Sequence, residues 1–200
     1  KLVVYDAIEP QRLLHREMQE TNVTGTRWTS EQVAPISERA KDNLYGPDDF
    51  VRVKGDFFEE SIAQIYRRYQ QLLLEHNAVD YGDLIRLSVQ LLKQNPGTLE
   101  FYQNLFRYVS VDEYQDCSFG QYQLVRHLVW RHRNLCCVGS PVQAIYSWRG
   151  ADIHNILQRF REDFQDAPMV VLSENYRSTA TILGAAQSIV KELPYREDLR

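Results

Sequence analysis

Cysteine is scarce in this 200-residue chain: Cys117, Cys136 and Cys137 are its three, with no C-x-x-C pair among them. That excludes a disulfide scaffold and a structural zinc site. Cys136 and Cys137 lie in an apolar run, where cysteine acts as a small hydrophobe, and the expected compartment is reducing. No apolar run approaches the ~18 residues that would span a membrane, and no signal-peptide pattern is present. Lysine is also sparse, 5 against 18 arginines, and the net charge is −4. A general basic coat is thereby excluded, so any nucleic-acid contact must come from a local patch or from stacking. None of the nine glycines is followed by lysine, so the phosphate-cradling loop G-x-x-x-x-G-K-[ST] is missing from these residues. Internal repeats and low-complexity tracts are absent too.

What remains is ordinary globular composition, 44% hydrophobic and 25% charged, in a length that suits one domain or one and a half. The front of the chain reads as helical. After a short apolar run, Leu2 to Tyr5, a helix is expected from Ile8 to Glu20, with Pro10 in its first turn. Thr21 to Arg27 reads as a turn-rich connection. Thr29 and Gln32 have capping-box spacing for a second helix ending near Leu44, and Tyr45 to Asp56 reads as a loop. The clearest helix runs from Phe57 to His76, opened by a second box, Asp56 and Glu59. Phe58, Ile62, Ile65, Tyr66, Tyr69, Leu72 and Leu73 form its stripe. Asp80 caps a further helix with Leu84, Leu87 and Leu91 on one face, and a short one follows from Thr98 to Phe106. Both stripes read as core.

From Tyr108 the pattern changes. Apolar, largely β-branched runs at 108–112, 134–138 and 169–172 alternate with helical segments at 118–131, 152–164 and 179–192. That alternation predicts an α/β fold with a parallel sheet and crossover helices. The first run reads YVSVDEYQD, from Tyr108 to Asp116. A buried strand that stops at adjacent carboxylates places them at the crevice where ligands sit in open α/β sheets. There Asp112 can hold Mg²⁺ through oxygen, and Glu113 can orient or deprotonate a water attacking a phosphate.

Downstream lie VGSPVQAIYSWRGA, Val138 to Ala151, and LSENYRST, Leu172 to Thr179. With DEYQD, and in this order and spacing, they resemble motifs II, III and IV of superfamily 1 DNA helicases of the UvrD/Rep/PcrA type. The resemblance is strong after residue 62 and looser before it. It implies that residues 1–95 are helical subdomain 1B. Residues 96–200 are then the later part of the first RecA-like domain, 1A, without its P-loop strand. It also implies roles: Asp112 for magnesium, Glu113 as catalytic base, Gln143 and Arg177 on the γ-phosphate, and Tyr176 on the adenine. Tyr146 and Trp148 would meet single-stranded DNA, with Arg149 beside them on phosphate or on the acidic cluster. Gln115 and Asp116 would support motif II through hydrogen bonds. Ser178 and Thr179 read as caps of the last helix.

The implied parent is an ATP-dependent DNA helicase, cytoplasmic or nucleoid-associated. It would use ATP and Mg²⁺, travel 3′ to 5′ on single-stranded DNA, and act at single/double-strand junctions with a second RecA-like domain of the same chain. Two rivals are a degenerate, non-hydrolysing DNA-binding or scaffolding relative and the motor part of a helicase–nuclease. One departure bears on the first rival. The resembled family has a G-D-x-D-Q-S-like run, where this chain has Gly139-Ser140-Pro141-Val142-Gln143-Ala144. Both acids are replaced, and the expectation is a loosely held loop with weaker coupling between DNA and ATP. Without a P-loop these 200 residues should not hydrolyse ATP alone. Calorimetry of the isolated chain should give a Kd for Mg-ATP of about 1 mM or weaker. Low-micromolar binding would reveal a nucleotide site that this reading lacks.

Overall fold

Helix boundaries follow the capping residues closely. The computed structural model describes residues 1–6, 8–20, 29–49 and 57–193. Over these residues the elements are β1 (Val3–Val4), α1 (Ile8–Glu20), α2 (Ser30–Asp42), α3 (Phe57–Glu75), β2 (Ala78–Val79), α4 (Tyr81–Gln94), α5 (Pro96–Leu105), β3 (Val109–Val111), α6 (Phe119–Val129), β4 (Leu135–Cys137), α7 (Phe160–Asp163) and α8 (Ala180–Val190). Thr29 caps α2 with Gln32 closing the box, and the Asp80 carboxylate accepts the Asp83 N–H at the start of α4. The Asp56–Glu59 box, the Thr21–Arg27 connection, the Phe58 side chain and residues 50–56 lie outside the described residues. Residues 47–49 are helical where a loop is expected.

The chain divides into two compact units. One holds residues 1–108 and 118–132, the other residues 109–117 and 133–200. In the first, α1, α2 and α3 enclose a core built on Leu14, Val33, Tyr66 and Tyr69. Of the α3 stripe, Ile62, Ile65, Tyr66, Tyr69, Leu72 and Leu73 are buried as the 3–4 spacing predicts. Leu84, Leu87 and Leu91 are instead exposed, and α4 buries Val89 and Leu92 against its neighbours. This helix is apolar on more than one face, so periodicity alone selects the wrong one. β1 and β2 pair in parallel, Val3 with Ala78 and Val4 with Val79.

Lys41 carries the strongest electrostatics in this unit. It is 0% exposed and bonds both Asp80 and Asp83, the latter at 2.9 Å. Its ammonium stands 4.9 Å from the Tyr69 ring centroid, and the Tyr69 hydroxyl donates to Asp80 at 2.8 Å. Arg86 and Gln70 complete the bonds to Asp83. Burial pushes the Asp83 carboxyl up, but the Lys41 charge, helped by Arg86 and Gln70, outweighs it and holds the group below the usual range. Gly82 is required beside this lysine, because a Cβ there would come 2.8 Å from Lys41 Cδ.

The second unit contains β3 and β4, paired in parallel with Val109 opposite Leu135 and Val111 opposite Cys137. A mixed α/β chain with short parallel pairing agrees with the expected class in its coarse form. Residues 169–172 form no strand, and all four are exposed. Among the described residues no neighbouring strand supplies a ladder for them, and β-branched content cannot substitute for one. All three cysteines are free. Cys136 is exposed, contrary to a core role, and burial pushes the Cys137 thiol up to about 12. No described helix is long and apolar enough to cross a membrane.

Replacing Lys41 by Met removes one charge from a buried cluster and leaves two carboxylates facing each other. Urea denaturation should show a loss of about 3–5 kcal/mol. The Asp83 contribution is complete above its unfolded pKa of about 3.9 and is lost as pH falls through its lower folded value. The wild type should therefore lose stability on acidification below about pH 4 more steeply than Lys41→Met. Equal stability of the two proteins at neutral pH would refute the ledger of this cluster.

Candidate functional site

β3 delivers its acids to an open position. Asp112 and Glu113 follow Val111 directly, and both are exposed. Glu113 has φ 49° and ψ 46°, a left-handed conformation that is uncommon for residues other than Gly, Asn and Asp. Its N–H donates to Asp112 Oδ1 at 2.9 Å, and the next N–H, from Tyr114, donates to the Val138 carbonyl beyond β4 at 2.9 Å. The turn is thus fastened to the neighbouring strand's exit. Strain of this kind costs on the order of 1–3 kcal/mol and collects at functional sites.

Behind the acids sits Gln115, which is 1% exposed. Its Nε2 donates to Glu113 Oε2 at 2.7 Å, and its Oε1 accepts the Ser140 N–H at 2.9 Å. Gly139 permits this approach, since a Cβ there would stand 2.6 Å from Gln115 Oε1. The far end of the same loop is tied down two residues along. The Cys117 carbonyl accepts the Asp152 N–H at 3.0 Å and Asn155 Nδ2 at 2.8 Å. Asn155 is itself fully buried, and Arg159 bonds both it and Asp152. Tyr114 packs its ring edge against Phe160, at 6.0 Å between centroids.

Between those two ties the loop carries the residues expected to meet ligands. Gln143 ends a 3₁₀ turn, Pro141–Gln143, and is exposed. Trp148 is 70% exposed, with Tyr146 beside it at 6.3 Å between centroids. The Arg149 guanidinium lies 5.7 Å from the Trp148 centroid, and no ion pair joins it to Asp112 or Glu113 among the described residues. Gly150, at φ 87°, reverses the chain back toward Cys117. Both ends of this loop are hydrogen-bonded through backbone N–H groups, Ser140 to Gln115 and Asp152 to the Cys117 carbonyl, and neither bond uses the side chain at 140 or 142.

The third stretch is held locally. Asn175 Oδ1 accepts the N–H groups of Arg177 and Ser178, an Asx turn that presents Tyr176 and Arg177 to solvent. Tyr176 is 94% exposed. Thr179 occupies the cap position of α8 but makes no side-chain cap bond. Among the described residues, no hydrogen bond or ion pair links Tyr176 or Arg177 with Asp112, Glu113 or Gln143.

Two adjacent carboxylates with no cationic partner among the described residues, at the end of a parallel strand, suit a hard divalent cation. Among the described residues no group of three ligands is assembled. Magnesium is commonly held by one or two carboxylates, with phosphate and water completing its shell, and this donor set fits that pattern. Sequence reasoning assigned Gln115 a supporting bond but gave no sign of Ser140 as its partner. It missed Cys117, Asp152 and Asn155 altogether. The one available signal was the apolar-polar break at Gly139, which marks a close backbone approach.

The UvrD/REP helicase N-terminal domain family matches residues 1–165. An ATP-dependent DNA helicase PcrA of Bacillus subtilis (strain 168) is 38% identical over 188 residues, which is 94% of this chain and 25% of that protein. Its namesake in Staphylococcus epidermidis RP62A is also 38% identical, over 94% of this chain and 26% of its own length. In Staphylococcus aureus Mu50 the PcrA helicase is 37% identical over the same shares. The chain thus spans about a quarter of the length of these curated relatives.

Proposed function

The chain belongs to the UvrD/REP helicase N-terminal domain family, and from that premise we propose that it is part of an ATP-dependent DNA helicase. It would couple nucleotide hydrolysis to movement on single-stranded DNA and to unwinding at single/double-strand junctions. Residues 1–95 are helical subdomain 1B in this reading, and residues 96–200 are the later part of RecA-like domain 1A. A second RecA-like domain of the full-length protein closes the nucleotide site.

The observation that carries the proposal is the turn at Asp112–Glu113: a left-handed, exposed carboxylate at the end of a parallel strand, with its side chain hydrogen-bonded by a buried amide. Asp112 offers an oxygen ligand, and bound Mg²⁺ supplies charge compensation for the phosphates. Glu113 orients the attacking water and takes its proton. Gln143 can donate to a phosphate oxygen and accept from that water. Arg177 offsets charge on the transferring group, a role worth ~10³–10⁵ in rate for arginine fingers. Tyr176, exposed on the Asx turn, stacks on the adenine. Trp148 stacks on a base at ~1–3 kcal/mol, with Tyr146 and Arg149 lining the same strand. Stacking reads no sequence, which suits a chain with net charge −4 and no basic coat.

In the full-length protein, Glu113→Gln should bind ATP normally while hydrolysis nearly stops. Arg177→Ala should impair hydrolysis and leave single-stranded DNA affinity unchanged, whereas Trp148→Ala should weaken that affinity about tenfold or more. Steady-state ATPase and oligonucleotide anisotropy measure all three. Wild-type hydrolysis in Glu113→Gln would remove Glu113 as the catalytic base, whereas a wild-type protein that binds DNA without hydrolysing ATP would favour the scaffolding relative.

A further inference from the structure

We propose that Gln115 is the positioning residue that couples the DNA-contacting loop to the catalytic carboxylate, and that it does so through the backbone of Ser140. The inference rests on the reading of Glu113 as general base and of the 140–152 loop as the DNA contact.

One primary amide has one donor group and one acceptor group, and here they face opposite partners. The donor holds Glu113 Oε2 at 2.7 Å and the acceptor holds the Ser140 N–H at 2.9 Å. The amide is buried, so water does not compete for either bond. Ser140 opens the loop that bears Gln143, Tyr146 and Trp148, and the Asp152 N–H closes it on the Cys117 carbonyl. Both ends of the loop are therefore anchored within two residues of one another, next to the base. A base stacking on Trp148 that shifts the loop has to move the Ser140 N–H, the Asp152 N–H or both. A shift at Ser140 re-aims the Gln115 amide, and with it the Glu113 carboxylate. The backbone of Glu113 is held separately, by its own turn and by the Tyr114 N–H on Val138, so it keeps its place when Gln115 is altered. Because the link uses a backbone N–H, it works with serine at 140 and needs no acid at 140 or 142.

The test uses the full-length protein, with ATPase measured at zero and saturating single-stranded oligonucleotide. Gln115→Met keeps the length and loses both bonds. Gln115→Asn keeps both amide groups on a stem one methylene shorter, so the amide can no longer span Glu113 and Ser140. Each should lower the DNA-stimulated kcat about tenfold or more, the loss of a hydrogen bond to a charged group. The DNA-free kcat should fall less, so that the ratio of the two rates drops, while the KM for ATP and the oligonucleotide Kd each stay within about threefold. Ser140→Asp with Val142→Asp should change the stimulation by less than about twofold. If Gln115→Met fails to fold, Gln115→Asn decides alone. A folded Gln115 variant with the wild-type stimulation ratio would overturn the proposal. So would a uniform fall of both rates with altered KM and Kd, which marks a merely structural role, or a large gain from the restored acids. Glu113→Gln, run in parallel, separates the two levels. If it is inactive while the Gln115 variants behave as wild type, only the Gln115 proposal fails. If it is active, the reading of Glu113 fails first.

Discussion

Buried polar side chains must find partners within the protein, and this constraint shapes both units. Lys41 and Gln115 have almost no exposed surface. An unpaired ammonium or amide in either place would cost more than most single packing defects. Lys41 is satisfied by carboxylates at the start of α4 and by two tyrosine faces, which ties α2 to α4 and α3. Gln115 is satisfied by one carboxylate and one backbone N–H, which ties the strand-end acids to the following loop. In the first unit the result is a fixed core. In the second it is a fixed geometry at an exposed surface, where the proposed chemistry would require it.

The helices were the legible part. Thr29 with Gln32, and Asp80, are local signals read within one turn, and each caps a helix in the structure. Ser118 with Gln121 does the same at α6 and went unread. β3 and β4 were legible because a parallel pair needs only two apolar runs and a crossover of adequate length. The misses have a common cause. The pairing of Val3–Val4 with Ala78–Val79, the exposure of Leu84, Leu87 and Leu91, and the absence of a strand at 169–172 all depend on residues far away in sequence. A short apolar run states that it can be buried; it does not state by what.

The candidate site divides the same way. The residues proposed to carry chemistry, Asp112, Glu113, Gln143 and Arg177, stand out in the sequence by their motifs. Residues that hold them do not, because a glutamine, an asparagine and a backbone carbonyl carry no pattern. Asp152 and Asn155 meet the Cys117 carbonyl across more than thirty positions. The loop's altered side chains at 140 and 142 drew attention in the sequence, yet the backbone there makes the contact. The substitutions at 140 and 142 therefore leave these end contacts untouched.

The left-handed backbone at Glu113 has a consequence for how this position tolerates change. Glycine or asparagine would sit there with less backbone strain, but glycine would also leave the buried Gln115 amide without its carboxylate acceptor. Relief of the turn and satisfaction of the amide therefore pull in opposite directions at one position. The strained residue is held in place by its neighbour's need for an acceptor as much as by its own backbone.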